Sequence, residues 1–252
     1  MKSIVLCDNA EPEKVVPLCR EYGLGIEIQG FYNPNTEDGA QDLTEKYQKM
    51  LDGIDERHLH APFWDLCLAS KTKMIRDVTR HYFDYGYQMA AALNCRSVTV
   101  HQGFVPGTSY VSGWVKRAIP FWEEFFNEHP GHIEMNMENL CEKNAETLIG
   151  TVDGLGVVRL GVNLDIGHAH CMSDLEVTDW IEQLGGRIHY AHLHQNDGTK
   201  DKHWGLAKGT IPLDEVLGAL NQYAPNAVWA LECAPDDMQE SIEFLVAKGF
   251  VR

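Results

Sequence analysis

Short runs rich in Val, Ile and Leu alternate along this chain with longer segments of helical periodicity, and the alternation repeats eight times. Residues 3–7, 25–31, 58–63, 97–104, 133–140, 159–166, 188–194 and 227–233 read as strands. The segments 11–23, 37–54, 71–94, 112–131, 144–155, 177–186, 211–224 and 236–249 read as the helices between and after them. Helix stops are expected at Gly23, Gly53, Asn94, Gly131 and Gly156, where a left-handed residue can close the last turn. Strands separated by helices pair in parallel, because a parallel connection needs a crossover of a dozen or more residues.

Eight such units suit a closed (β/α)8 barrel better than an open doubly wound sheet. No GxGxxG or P-loop turn follows the first strand, so a nucleotide cofactor has little support. At 252 residues the chain fits one barrel domain spanning 1–252, a common size for the fold. A 44% hydrophobic fraction can fill its core.

Chemistry in such barrels sits at the carboxyl ends of the strands, and here those ends carry metal-binding residue types. HIEMNME supplies Glu138, RLGVNLDIGH supplies Asp165 and His168, IHYAHLH supplies His192 and His194, AVWALE supplies Glu232, and SVTVH and RHLH supply His101 and His60. Imidazoles and carboxylates together suit borderline divalent cations such as Zn²⁺ and Mn²⁺. Glu138 and Glu232 end apolar strands, where an unpaired carboxylate would suffer a large desolvation cost that a cation removes. An ion pair with Lys or Arg would do the same, but few bases lie nearby. Asp165 could instead cap a helix. His60 and His101 could equally be packed, hydrogen-bonded histidines or substrate contacts, and His194 could orient a ligand, contact substrate or simply pack.

Two connections are long, residues 33–39 and 195–210. The second carries Asp197, Asp201, His203 and Trp204 toward the mouth. Trp204, Phe31, Trp64 and Phe104 are candidates for an apolar wall around a bound substrate, with core packing the competing explanation. WEEFF reads as a helix burying one face.

The formal charge of −16, 37 acids against 21 bases, opposes a polyanionic partner, and no Lys/Arg-rich run offsets it. Nucleic acid is therefore not expected. Seven cysteines without CxxC spacing read as free thiols in a reducing compartment. With no secretory pattern and no run of about 20 apolar residues, the expected location is the cytoplasm, with no membrane partner.

At MENL, NLDIGH, HLHQNDGTKDKH and ALE the sequence resembles the xylose isomerase-like TIM barrels, which include sugar isomerases and epimerases, inosose-processing enzymes and abasic-site endonucleases (AP endonuclease family 2). The resemblance runs in order along essentially the whole chain. It implies a main divalent metal (Mn²⁺, Zn²⁺, Mg²⁺ or Co²⁺) held by Glu138, Asp165, His192 and Glu232. The endonuclease branch implies further ligands at His60, His101, His168, Asp201 and His203, for up to three cations. Gln195 and Lys208 depart from the family block, and the arginine that contacts substrate in ketose 3-epimerases has no counterpart in QNDGTK. Pairing of chains into a homo-oligomer is common among related barrels.

The expected activity is proton transfer next to a carbonyl in a sugar, sugar phosphate or cyclitol, through an enediolate, with Glu138 and Glu232 as acid and base and His168 as a third catalytic candidate. His60, His101, His194 and Trp204 are the expected carbohydrate contacts, and His168, Asp201 and His203 an additional metal site. The alternative is a multinuclear zinc phosphodiesterase, favoured by the extended ligand set and opposed by the acidic surface.

Overall fold

The computed structural model describes residues 2–251. Eight parallel strands close into a barrel in sequential order: β1 (Ile4–Cys7), β2 (Gly25–Ile28), β3 (Arg57–His60), β4 (Ser97–His101), β5 (Glu134–Glu138), β6 (Leu160–Asp165), β7 (Ile188–Leu193) and β8 (Val228–Leu231), with β8 pairing back onto β1. The helices are α1 (Pro12–Tyr22), α2 (Ala40–Met50), α3 (Lys73–Ala92), α4 (Val111–Glu128), α5 (Glu146–Leu155), α6 (Ile166–Met172), α7 (Val177–Leu184), α8 (Leu213–Tyr223) and α9 (Pro235–Ala247). No described helix is long and apolar enough to cross a membrane.

Helix α4 shows how the sequence drives this packing. Trp114, Ala118, Phe121, Trp122 and Phe125 are buried on one stripe while Glu123 and Glu124 face solvent, the spacing of an amphipathic helix against a sheet. Gly23 and Gly156 close α1 and α5 in the left-handed conformation, and Asn94 and Gly53 also take positive φ just beyond α3 and α2. Gly131 does not stop a helix: α4 ends at Glu128, three residues earlier.

Two differences from the sequence reading matter for function. Residues 34–39 form a 3-10 turn before α2, and 166–172 form the short helix α6, where Asp165 Oδ1 accepts from the His168 backbone N–H at 2.6 Å. A short helix of seven residues between a strand and the next helix leaves little periodic signal.

The main apolar core lies between the outer face of the barrel and the helices, and a much smaller cluster of Val5, Cys7, Tyr190 and Ala230 lies apart from it. Buried polar groups are concentrated at alternate strand positions instead, among them Glu27, His60, Asn136, Glu138, Asn163 and His192. The register between β6 and β7 shifts at Val162 and Asn163, so that His189 is skipped and Asp165 pairs with His192. Without that bulge a one-residue slip would put Ala191 opposite Asp165 and turn His192 to the other face. Gly161 permits the bulge, since a Cβ there would strike the His189 ring.

Candidate metal centre

Strand register brings the ligand-type side chains together at the carboxyl end of the barrel. His101 pairs with Glu138, Glu138 with Asn163, and Asp165 with His192. His192 Nδ1 lies 3.0 Å from Glu232 Oε2, 3.4 Å from Glu138 Oε2 and 3.7 Å from Asp165 Oδ2. Ligand bonds of about 2.1 Å in a tetrahedron put neighbouring donor atoms about 3.4 Å apart, so each of these three carboxylate oxygens lies at a spacing from His192 Nδ1 that a shared divalent ion would allow. Glu232 Oε2 has no hydrogen-bond partner although buried, and faces an imidazole nitrogen that acts as an acceptor toward Asn163. Two lone-pair donors held 3.0 Å apart repel unless a positive charge lies between them.

Two further groups adjoin this one. His60 Nε2 and His101 Nε2 lie 3.4 Å from the two oxygens of Glu138, which thus stands between both groups. On the other side, Asp201 Oδ2 is 3.3 Å from His168 Nε2 and 2.7 Å from His203 Nε2. Asp201 Oδ1 is a second buried carboxylate oxygen without a partner.

The imidazoles are oriented for ligation by what their outer nitrogens touch. Nδ1 of His60, His168 and His203 lies 2.9 Å from the carbonyls of Ala61, Asn139 and Glu232 respectively, so each Nδ1–H donates outward and Nε2 is the nitrogen turned toward the carboxylates, where a cation could replace its proton. His192 is turned the other way: Nε2 lies 3.1 and 3.0 Å from the two oxygens of Glu27, leaving Nδ1 for the centre. Asn163 Nδ2 donates to Glu138 Oε2 at 3.0 Å, which fixes the amide's orientation, and also reaches His192 Nδ1 at 3.2 Å.

The electrostatics call for cations. Burial opposes ionisation of Glu138 and Asp165, yet His101 and His192 around the first, and His168 and His194 around the second, hold both well below the usual carboxylate range. Burial likewise opposes charging of His192 and His168, but carboxylates raise both well above the usual imidazole range, Glu232 and Glu27 for the first and Asp165 for the second. His203 is pushed up to about 10 against burial by Glu232 and Asp201. Protonated imidazoles thus balance the carboxylates where divalent ions would.

The tightest groupings of ligand-type atoms divide the expected residues: His192 and Glu232 lie with Cys7 and Glu27, and Glu138 and Asp165 lie with His168. His194 is not at the heart of the centre: its Nε2 lies 3.0 Å from both Asp165 oxygens and its ring stacks on His203 at 4.0 Å, so it orients Asp165. His60 and Glu232 line a mouth cavity of about 210 Å³ together with Asn9, Gln29, Tyr32 and Phe63. Trp204 pairs its backbone with Gln195 and carries Lys202 4.4 Å over its ring, away from that lining. Phe31 packs in the core against Tyr47 and Tyr85, and Phe104 against Trp114; the aromatic wall is made by Tyr32 and Phe63, which stack at 5.9 Å. A larger cavity of about 370 Å³, lined by His58, Ser97, Asn136 and Tyr190 among others, opens at the amino-terminal end of the strands, away from the ligands.

Sequence reasoning missed Glu27, Gln29 and Asn163. Glu27 carried the signal used for Glu138 and Glu232, a lone carboxylate among Ile26 and Ile28, but it stands inside its strand and not at the end.

A closed parallel barrel with imidazoles and carboxylates converging at its carboxyl end defines a (β/α)8 protein whose mouth has side chains that could hold a metal ion. The chain belongs to the xylose isomerase-like TIM barrel family, which matches residues 14–248. It is similar to the uncharacterized protein MJ1311 of Methanocaldococcus jannaschii, 27% identical over 77% of this chain and 72% of the relative. Among solved structures it is similar to the TTHB071 protein from Thermus thermophilus soaked with ZnCl2, with a TM-score of 0.79 and 25% identity over 97% of each chain. A D-tagatose 3-epimerase-like protein shares the fold at a TM-score of 0.76 and 23% identity, over 98% of this chain and 99% of the other.

Proposed function

We propose that the protein is a divalent-metal-dependent sugar isomerase or epimerase. The reading is carried by one observation: Glu138 on β5 and Glu232 at the end of β8 approach the same nitrogen, His192 Nδ1, from different strands beside a small open cavity. Its lining includes no Lys or Arg, which suits an uncharged substrate. The donor set fits a divalent ion, and the zinc soak of a similar protein and the epimerase-like name of another agree with it.

A cation held by Glu138, Asp165, His192 and Glu232 would polarise a carbonyl and its neighbouring hydroxyl, acidifying the intervening C–H. Glu232 borders the cavity; its Oε2 faces His192 Nδ1 and would hold the cation, so Oε1, which accepts from Gln29 Nε2 at 2.7 Å, would take or return the proton. Glu138, steadied by Asn163, serves the other face of the substrate. Tyr32 and Phe63 offer apolar surface to the ring, and His60 offers a polar contact.

A second reading, a multinuclear hydrolase, is favoured by the two extra groups His60/His101/Glu138 and His168/Asp201/His203. Metal number separates the two. Three divalent ions outweigh the carboxylates of Glu138, Asp165, Asp201 and Glu232 and would attract a phosphodiester; one ion leaves the centre anionic and suits a neutral sugar. The net charge of −16 opposes the hydrolase.

The test is solvent-deuterium incorporation into a panel of ketoses and inososes, alongside cleavage of an abasic duplex at low salt. Incorporation that falls about 10²–10⁴-fold in Glu138→Gln and Glu232→Gln supports the proposal. Incorporation surviving both changes, or duplex cleavage without incorporation, refutes it.

A further inference from the structure

Glu27 is a carboxylate beside the centre, and its partners are fixed. It is fully buried in the middle of β2, with both oxygens on His192 Nε2 at 3.1 and 3.0 Å. Gln29 Nε2 donates to Glu27 Oε1 at 3.0 Å and to Glu232 Oε1 at 2.7 Å, tying the two carboxylates together. Burial alone would raise its pKa, but His192 holds it down to about 2. Nothing in this arrangement leaves Glu27 facing substrate: the mouth cavity is lined by Gln29 and Glu232, not by Glu27.

We propose that Glu27 is a positioning residue that fixes the His192 imidazole with its proton on Nε2 and Nδ1 presented to the cation. The proposal rests on a metal at His192 Nδ1 and on no particular reaction there. An imidazole has one nitrogen to give a metal only when the other carries the proton, and the group accepting that proton decides which. Glu27 can only accept, so it selects Nε2–H; Asn163 Nδ2 can only donate, so it reads Nδ1 as a lone pair. The two neighbours agree on one tautomer. The negative charge of Glu27 also makes Nδ1 a stronger donor.

A rival role exists for the same residue. Cys7, Glu27, His192 and Glu232 can offer one ligand atom each within a single small volume, with Cys7 Sγ 3.5 Å from Glu27 Oε1. In that arrangement Glu27 would itself bind metal, and His192 would bind through Nε2.

The experiment uses the full chain loaded with Zn²⁺ or Co²⁺. Zinc affinity is measured by chelator competition for the wild type, Glu27→Gln and Glu27→Asp, and the nitrogens of His192 are assigned by ¹⁵N NMR in the zinc-loaded protein. Glu27→Gln is nearly isosteric, but its amide can donate to Nε2 and so favours the unproductive tautomer. We expect zinc to bind about 10- to 100-fold more weakly in Glu27→Gln, with partial recovery in Glu27→Asp, which keeps the charge. His192 should show a protonated Nε2 and a metal-bound Nδ1. Equal affinities in wild type and Glu27→Gln would overturn the proposal while leaving the metal centre standing. A wild type that binds no zinc would overturn both. A Co²⁺ protein with a thiolate charge-transfer band that Cys7→Ser abolishes would assign Glu27 to the rival site and reject the positioning role.

Discussion

Gly167, in the first turn of α6, offers a stability test of how the centre is buttressed. A Cβ at this position would fall within 2.6 Å of both His194 ring nitrogens. His194 is fully buried and cannot swing away freely, and its Nε2 is the partner of both Asp165 oxygens. Gly167→Ala therefore combines overpacking, about 1–3 kcal/mol, with loss of a hydrogen bond to a charged group, about 1.5–3 kcal/mol. The gain in helix propensity, about 1 kcal/mol, offsets part of this. A net cost of about 2–5 kcal/mol lowers the melting temperature by roughly 4–20 °C in a chain of this length. The assay is thermal and urea unfolding of Gly167→Ala, His194→Ala and the double variant. Since the clash is with the imidazole, Gly167→Ala should be neutral or slightly stabilising once His194 is Ala. Equal costs in both backgrounds, or a melting temperature within about 2 °C of wild type, would show that the His194 ring does not brace Asp165 as described.

Metal removal should also register as stability. An ion present at about 1,000 times its Kd contributes about 4 kcal/mol, so exhaustive chelation should lower the melting temperature by roughly 8–16 °C, and no change on chelation would contradict a resident ion. Asp8, buried and raised to about 6 by desolvation despite hydrogen bonds from Tyr47, Gln29 and Ala10, is costly to ionise in the fold. Its folded pKa exceeds the unfolded value, so stability falls as pH rises from about 4 to about 6, by about 3 kcal/mol; urea titrations of wild type and Asp8→Asn should converge at the acid end of that window and diverge above it in favour of the variant. Tyr47→Phe removes the 2.7 Å hydrogen bond to Asp8 Oδ2 and should cost about 1–3 kcal/mol, read by the same titration.

The barrel was legible because its strands and helices differ in period, and because caps such as Gly23 and Gly156 take the left-handed conformation that glycine allows. The proposed ligands Glu138, Asp165, His192 and Glu232 stand out in the sequence as polar groups at or near strand ends. What could not be read were features set by tertiary register. The bulge that pairs Asp165 with His192 depends on Gly161 giving room to His189, two residues far apart in sequence. Trp204 looked like a sugar platform from its place in a site loop, but the loop folds back on Gln195 and its ring takes Lys202 instead. Helix α6 was hidden because a short capped turn has no period to detect, and its cap, Asp165, holds the His168 backbone while its carboxylate remains among the ligands.

A cation shared by Glu138, Asp165, His192 and Glu232 underlies every functional step proposed for this barrel. Crystals of protein loaded with Mn²⁺ or Zn²⁺, with diffraction recorded on both sides of the metal's absorption edge, measure that directly. The predicted result is an anomalous peak about 2.0–2.3 Å from His192 Nδ1 and from a carboxylate oxygen of each of the other three. A metal-loaded crystal with peaks only at surface carboxylates and histidines, and none beside His192 Nδ1, would contradict it.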